Sequence, residues 1–266
     1  IQTTADILFI GNVGEEGLGD LRGMKHLFQK GPYKDRIATF ISMDGAGSGA
    51  DITHGGVGSR RYRVTFTGPG GHSYGAFGLV SPAFAMGLAM AKLSDVTVPA
   101  RPKTTFNVGV VGGGTSVNSI PFEQWMEVDM RSESPVELAK LEQTFQRLMQ
   151  EAADEENRVR STRQGVIRAD LKLIGDRPSG ETPRDSRLVE VAAAAVRAAG
   201  MEPTYGYSST DSNIPISLGI PAITIDSGGS GGRAHALDEW IDVEKVASLR
   251  GIESALTILL TLAGVN

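Results

Sequence analysis

The stretch Ile7-Leu8-Phe9-Ile10-Gly11-Asn12-Val13-Gly14-Glu15-Glu16-Gly17 joins a short apolar run to two adjacent carboxylates between glycines. The run predicts a buried parallel strand over residues 7–10. Ligands of open α/β sheets bind beyond the carboxyl ends of strands, which is where Glu15 and Glu16 would lie. Adjacent residues of extended backbone point in different directions, so one glutamate can bind a metal while the other acts as a general base. The stretch therefore indicates metal-assisted hydrolysis, and a solvated loop is the alternative.

Composition limits the function classes. The chain has 266 residues, 40% of them hydrophobic and 21% charged, which is typical of a globular protein of about two domains. A net charge of -5 and the lack of a basic run argue against nucleic acid as a partner. Cysteine is absent, which excludes disulfides and thiolate metal sites. Any metal must be held by Asp, Glu or the four histidines, which are His26, His54, His72 and His235.

The sequence also bears on membranes and localisation. We expect no membrane partner, because the apolar stretches look too short to span a bilayer. There is no basic-then-apolar leader. Because Ile1 stands almost directly before a predicted strand, we interpret the start as that of a cut chain, so this absence says little about targeting. The expected compartment is the cytoplasm.

The first and last parts of the chain follow an α/β rhythm. We expect a helix over residues 18–29, which Gly31-Pro32 would end, and a strand over residues 36–43. The glycine-rich residues 51–58 are interpreted as a hinge or linker. After Pro183 we expect a helix over residues 188–199, a buried strand over 220–225 and a closing helix over 243–263.

The middle part has a different order. Predicted strands over residues 61–67, 104–111, 122–131 and 165–174 alternate with predicted helices over 82–93 and 134–153. Ser134-Pro135-Val136-Glu137 marks the second helix start, with an N-cap, a proline and a glutamate three residues on. The β-α-β-β-α-β order is that of a ferredoxin-like domain. We therefore predict an inserted domain over residues 58–176 between catalytic-domain parts over 1–57 and 177–266.

Three more residues stand in positions suited to chemistry. Asp44 follows a predicted strand, His235 lies in a polar loop after glycine-rich backbone, and His72 lies in the turn Gly68-Pro69-Gly70-Gly71-His72-Ser73. Each has an ordinary interpretation: a helix cap or turn for Asp44, and a backbone-bonded loop residue for either histidine. Taken together with Glu15 and Glu16, they offer the imidazole and carboxylate groups that zinc, manganese or cobalt accepts.

At this point the chain resembles a known family: the di-metal metallopeptidases that include aminoacylases, acetylornithine deacetylases, succinyl-diaminopimelate desuccinylases and glutamate carboxypeptidases. The matching motifs occur in family order along nearly the whole chain. They are Gly14-Glu15-Glu16-Gly17, Ser42-Met43-Asp44-Gly45, the His72 turn, Gly113 to Pro121 with Asn118 inside it, Val128-Asp129-Met130-Arg131, Thr210-Asp211-Ser212-Asn213, and Ala234-His235-Ala236-Leu237-Asp238-Glu239. The resemblance implies an α/β zinc-peptidase-like catalytic domain, incomplete here, with an inserted ferredoxin-like dimerisation domain.

The resemblance also implies roles. Glu15 would be the general base, and His72 would stabilise the oxyanion in the partner subunit's active site. Glu16 and His235 would hold one divalent metal and Asp44 the other, with zinc first and manganese or cobalt as alternatives. Asn118 and Arg131 would grip a small substrate that has a free carboxylate, since the fork of an arginine matches two oxygens. Asp211 would be either a supporting residue or a substrate contact. The expected assembly is a homodimer.

One departure from the family pattern matters. The pattern also needs a His-x-Asp motif and a metal-bridging aspartate upstream of Glu15, and the 266 residues contain neither there. The resemblance therefore implies a further segment of domain size. The chain as written is expected to bind at most one metal, weakly, through Glu16 and His235, and to be inactive.

Two rival functions remain. Ser208, Ser209 and Ser227 lie in loops, with His235 and Asp238 nearby in sequence, but no strand–Gly-x-Ser-x-Gly–helix elbow indicates a serine hydrolase. The alternative to an enzyme is a metal-free dimeric binding or scaffold protein derived from one.

Overall fold

The computed structural model describes residues 1–265. By their internal contacts the described residues form two compact units, one of residues 1–57 with 177–265 and the other of residues 58–176. In chain order the strands are β1 Phe40–Met43, β2 Asp51–Gly56, β3 Gly58–Thr67, β4 Gly71–His72, β5 Thr104–Gly113, β6 Ser119–Ile120, β7 Glu123–Ser132, β8 Arg168–Arg177, β9 Gly180–Glu181, β10 Thr204–Ser208, β11 Ala222–Ile225, β12 Ser230–Gly232 and β13 Trp240–Asp242. The helices are α1 Arg22–Gln29, α2 Pro82–Ser94, α3 Pro135–Val159, α4 Arg187–Ala198, α5 Asn213–Ser217 and α6 Lys245–Ala263, and a 3-10 turn covers Gly17–Gly19.

The first unit is built on a five-stranded mixed sheet. Its strands run in the order β1-β11-β2-β10, and β9 also pairs with β2. The pair β1 and β11 is parallel, whereas β2 is antiparallel to β11. Buried apolar residues of β2, β11, α4 and α6 form the core: Ile52, Val189, Ala192, Val196, Ile223 and Ile258. A smaller cluster joins α1 to α5 through Leu21, Met24, Phe28 and Ile214.

The second unit is an α/β sandwich of two layers. Its antiparallel sheet has the order β5-β7-β3-β8, and helices α2 and α3 pack on it. The alternation of β3 and β7 explains the packing, because Val64, Phe66, Met126 and Met130 all point into the core. The predicted β-α-β-β-α-β order is confirmed, with β4 and β6 as a short additional pair.

The predicted N-cap and proline at the start of α3 are confirmed. The Ser134 hydroxyl accepts a hydrogen bond from the backbone N–H of Glu137 at 3.4 Å, and Pro135 opens α3. The helix then runs to Val159, six residues beyond the predicted end. Ser186 caps α4 in the same way, by accepting from the N–H of Val189.

Several predicted elements in the first unit are wrong. Residues 7–10 form no strand, since no described segment pairs with their backbone, and Phe9 is 80% exposed. The helix expected over residues 18–29 is a 3-10 turn followed by α1, because Asp20 and Leu21 adopt left-handed backbone between them. The hinge expected over 51–58 is mostly the buried strand β2, in which two glycines lie against neighbouring side chains. The strand expected over 36–43 is limited to β1.

Helix α6 corrects another expectation. It is long and apolar enough to cross a membrane by length and composition, although no apolar stretch was expected to reach that length. It packs on α4, and Ala255 and Ile258 belong to the core of the first unit. One face of α6 thus packs on the first unit, while only 22% of its apolar window is buried.

Phe145 tests the core of the second unit. The side chain is fully buried between β3 and the helices, with its ring 5.3 Å from that of Tyr62. We expect Phe145→Ala to lower the free energy of unfolding by about 3–5 kcal/mol, because it leaves a cavity. Denaturant unfolding measures the change. The control is Phe77→Ala, whose ring is 88% exposed and whose loss should change stability by less than about 0.5 kcal/mol. Equal effects of the two substitutions would contradict this packing.

Candidate active site

Two acidic residues follow the parallel strands β1 and β11 at the same edge of the sheet. Met43 and Ile225 are paired in register, and the N–H of Asp44 donates to the carbonyl of Ile225 at 3.0 Å. Asp44 is exposed, whereas Asp226 is 8% exposed. A Cβ atom on Gly47 would lie 2.3 Å from Oδ2 of Asp226, so the loop after β1 passes directly over that carboxylate. The carboxyl edge of this strand pair is therefore acidic.

Glu15 is held by an arginine. The guanidinium Nη1 of Arg177 lies 2.9 Å from Oε1 of Glu15, and Nη2 donates to the backbone carbonyl of Glu15. Nη1 also donates to the hydroxyl of Ser209 at 3.1 Å. Only 4% of the Arg177 side chain and 21% of that of Glu15 are exposed. The loop that carries Glu15 is thus anchored to Arg177, the first residue of the second segment of the first unit.

The charges around Glu15 set its proton affinity. Burial raises the pKa of Glu15 above its ordinary value, and the charge of Arg177 opposes this shift. The carboxylates of Glu16 and Asp44 raise the pKa of Glu15 further. A raised pKa suits a group that first accepts a proton and then returns it.

Asp211 lies on the other side of the Glu15 loop. Its Oδ2 accepts a hydrogen bond from Nδ2 of Asn12 at 2.7 Å, while its buried Oδ1 has no hydrogen-bond partner in the described residues. Burial raises the pKa of Asp211, Asn12 opposes the shift, and the charge of Asp44 adds to it. Asp44 therefore interacts electrostatically with both Glu15 and Asp211.

Glu16 and His235 are both exposed. Glu16 caps the 3-10 turn through its backbone. His235 adopts left-handed backbone with a φ of 64°, and its N–H donates to Oε2 of Glu239 at 3.1 Å. The imidazole is accordingly displayed by a loop and not by a regular element.

The donor chemistry of this unit suits a divalent cation of the zinc type. Neighbouring carboxylates raise the pKa values of Glu15 and Asp211, a cation stabilises such a group of carboxylates, and zinc also accepts imidazole. Within residues 1–265, however, no three histidine, aspartate or glutamate side chains lie close enough together to hold a metal ion. Glu16, Asp44 and His235 thus have suitable chemistry, and the described structure does not gather them into one coordination sphere.

In the second unit His72 and Asn118 lie together. The short strands β4 and β6 pair His72 with Ser119, and the N–H of Ser73 donates to the carbonyl of Asn118 at 2.9 Å. The Nδ1 atom of His72 faces the backbone N–H groups of Tyr74 and Gly75 at 3.2 and 3.3 Å. Because both partners are donors, Nδ1 must accept, which assigns the ring proton of neutral His72 to Nε2. The exposed imidazole thus presents an N–H donor.

Arg131 lies on the polar face of the sheet of the second unit. Its Nε pairs with Oδ2 of Asp129 at 2.6 Å, and Oδ1 of Asp129 also pairs with Nε of Arg61 at 3.1 Å. Two arginines therefore share one carboxylate. Arg131 remains 41% exposed, which leaves its outer face accessible to an anion.

Two residues of this region were missed by the sequence analysis: Arg177 and Asp226. Asp226 follows a predicted buried strand just as Asp44 does, so the same strand-end signal was present. Arg177 gave only the weak signal of an arginine beside Pro178 at a domain boundary. Its contact with Glu15 spans 162 positions and needs the fold.

The serine-hydrolase alternative finds no support in the hydrogen bonds of the described residues. The hydroxyl of Ser209 accepts from Arg177, and that of Ser227 donates to the carbonyl of Gly45. Asp238 pairs with Arg233 at 2.6 Å. Within residues 1–265, neither hydroxyl is hydrogen-bonded to the imidazole of His235.

The family comparison identifies the inserted part of the chain. Residues 55–157 match the family model of the peptidase dimerisation domain. The inserted unit is similar to peptidase dimerisation domains. This match confirms the predicted dimerisation domain and the resemblance to the metallopeptidases from which it was inferred. A search of curated proteins found no match.

Several solved structures share the fold of most of this chain, including its dimerisation domain. The aminopeptidase PepT of Bacillus cereus is 22% identical, with a TM-score of 0.69 over 95% of this chain and 61% of that one. A tripeptidase of Staphylococcus aureus is 18% identical, with a TM-score of 0.72 over 95% and 63%. An amidase of the hydantoinase/carbamoylase family from Burkholderia phymatum is 19% identical, with a TM-score of 0.59 over 87% and 56%. The chain thus spans about three-fifths of the length of the first two structures.

Asp226 gives a pH-dependent stability prediction. Burial raises its pKa, and the backbone amides of Gly49, Asp51 and Gly228 oppose the shift only in part. The folded state therefore disfavours the ionised form at neutral pH, and this penalty is absent below the ordinary aspartate pKa, where both states are protonated. We expect Asp226→Asn to raise the melting temperature at pH 7 and to leave it unchanged near pH 3.

Thermal unfolding of the wild type and the variant at both pH values measures this difference. Asp185→Asn, at an exposed position, is the matched control and should change neither melting temperature. A melting temperature of Asp226→Asn that is unchanged or lower at pH 7 would contradict the prediction.

Proposed function

We propose that the protein hydrolyses the amide bond of N-acyl amino acids or small peptides that carry a free carboxylate. The observation that carries this proposal is Glu15, a partly buried carboxylate of raised pKa that interacts with the charges of Glu16 and Asp44 at the acidic edge of the sheet. The fold is shared with a tripeptidase and an amidase, which supports chemistry at an amide bond. The peptidase dimerisation domain supports the same class.

Glu15 is proposed as the general base. Arg177 engages its Oε1, so Oε2 is the oxygen assigned to take the proton of the attacking water. The same oxygen then returns the proton to the leaving amine. Burial favours the protonated form that this second step requires, and Arg177 keeps the ionised form accessible for the first.

His72 is proposed to stabilise the oxyanion. The backbone N–H groups on Nδ1 fix the tautomer that carries its proton on Nε2, and the exposed ring can donate that proton in a hydrogen bond to a developing negative oxygen. In a homodimer formed through the inserted domain, His72 would act in the site of the partner subunit. Dimerisation would then contribute to catalysis as well as to assembly.

Arg131 and Asn118 are proposed to bind the substrate. Arg131 is 41% exposed, and its planar guanidinium fork suits the two oxygens of a substrate carboxylate. The side-chain amide of Asn118, which directly precedes the strand β6 paired with His72, can donate to a substrate carbonyl oxygen. Asp211 is proposed as a supporting residue for the Glu15 loop through Asn12.

Glu16 and His235 are proposed to hold one divalent metal and Asp44 a second, with zinc first and manganese or cobalt as alternatives. When bound, such ions would supply the Lewis acidity that lowers the pKa of water toward neutrality. The 266-residue chain contains three of the proposed ligands and lacks the upstream ligands that the family pattern needs. We therefore expect it to be inactive by itself. A cytoplasmic location remains part of the proposal.

The first test uses the natural full-length protein that contains these residues. We expect about two metals per chain by elemental analysis and hydrolysis of N-acyl amino acids or dipeptides. Glu15→Gln should lower kcat by at least about a hundredfold with metal content unchanged, because it removes only the base. Arg36→Lys, at an exposed position, is the control and should keep full activity.

The alternative is a metal-free dimeric binding or scaffold protein, which is favoured by the lack of a three-ligand cluster in residues 1–265. A full-length protein that takes up no zinc, manganese or cobalt and hydrolyses no amide would support it. Loss of metal together with activity in Glu15→Gln would instead make Glu15 a ligand.

The role of His72 in the partner's site has its own test. His72→Ala and Glu15→Gln should each be nearly inactive, since one lacks the oxyanion donor and the other lacks the base. When the two variants are mixed and allowed to exchange subunits, we expect about a quarter of wild-type activity, because half of the dimers pair one intact site with one doubly deficient site. Mixed dimers verified by mass spectrometry that show no recovery would contradict action across the interface.

A further inference from the structure

Arg177 is a buried cation whose contacts hold Glu15 in place in addition to favouring its ionised form. Its side chain is 4% exposed, and a buried charge is tolerated only where hydrogen-bonded partners compensate it. Two of its hydrogen bonds go to one residue, through Oε1 and the backbone carbonyl of Glu15. Ser209 accepts from the same guanidinium, and Asp20 lies 3.9 Å from Nε.

The Glu15 loop needs an anchor of this kind. Gly14 and Gly17 flank the two glutamates with φ angles of 76° and 50°, and residues 11–16 belong to no helix or strand. The neighbouring Val13 and Leu18 are 66% and 72% exposed, so apolar packing restrains the loop little. Backbone of this composition is mobile unless polar contacts fix it.

We infer that Arg177 is a positioning residue that fixes both the backbone and the side-chain rotamer of Glu15. The planar fork of a guanidinium donates in two fixed directions, so one residue can hold a carbonyl and a carboxylate of the same glutamate. The hydrogen bond of Asn12 to Asp211 holds the loop at its other side. Arg177, the last residue of β8, therefore holds the general base Glu15 in position.

The geometry predicts how substitutions differ. Lysine keeps the charge of Arg177 but has a single ammonium and cannot reproduce the fork, so Arg177→Lys retains part of the restraint. Methionine keeps much of the length and removes both donors. Glu15→Gln keeps the backbone carbonyl as an acceptor and loses the ionic contact. If the restraint is this contact, the effects of Arg177→Met and Glu15→Gln should not add.

Hydrogen exchange of the 266-residue chain, read by mass spectrometry, tests the clamp without reference to activity. We expect the amides of residues 12–20 to exchange about tenfold or more faster in Arg177→Met, less so in Arg177→Lys, and at the wild-type rate in the exposed control Arg36→Lys. The double variant with Glu15→Gln should exchange no faster than Arg177→Met. Unchanged exchange of residues 12–20, or an equal increase in the α4 core, would overturn the inference. If Arg177→Met does not fold, Arg177→Lys alone decides.

Kinetics of the full-length protein complete the test, and this part rests on the proposed function. Arg177→Lys should lower kcat on the order of tenfold or more, with KM and metal content unchanged, because the base is misplaced while binding is retained. A loosened loop with unaltered kcat would overturn the positioning role. A wild-type protein without hydrolytic activity would refute the proposed function, while the exchange result would still decide whether Arg177 restrains the loop.

Discussion

The first unit depends on one short parallel pairing, that of β1 with β11. Four residues of each strand are in register, from Phe40 opposite Ala222 to Met43 opposite Ile225. Parallel neighbours end at the same edge of a sheet, so this pairing places the loops after both strands side by side. One loop begins with Asp44 and the other leads through Asp226 to His235. The chemistry proposed for this edge therefore follows from a pairing across about 180 positions of sequence.

The carboxylates at the acidic edge repel one another, and the charge of Arg177 compensates this repulsion in part. Glu16 and Asp44 raise the pKa of Glu15, and Asp44 raises that of Asp211. Arg177 is the cation that opposes both shifts, and it lies buried beside Glu15. One arginine cannot neutralise four carboxylates. The remaining negative charge is what makes this edge suited to a divalent cation.

The sequence predicted periodic elements better than isolated ones. The strands and helices of the inserted unit emerged from regular alternation and caps such as Ser134, where local pattern and packing agree. The strand prediction for residues 7–10 was wrong because an apolar run forms a strand only beside a partner strand, and periodicity does not reveal that partner. The hinge prediction for residues 51–58 was wrong because two of their glycines lie against the Tyr207 ring and the Asn213 amide. Glycine there reflects the close approach of these side chains and not flexibility. Strand-end carboxylates were visible in sequence; the Arg177 contact was not, since only the fold brings it to Glu15.

His72 shows how backbone geometry can prepare a side chain for one task. Two successive N–H groups of its own turn face Nδ1, at 3.2 and 3.3 Å, and both are obligate donors. A proton on Nδ1 would face these donors, so in the neutral ring the turn favours the tautomer that carries its proton on Nε2. The exposed position of the ring leaves that N–H accessible. A donor fixed in this way needs no reorganisation when negative charge develops on a nearby oxygen, which is the property that makes an oxyanion site effective.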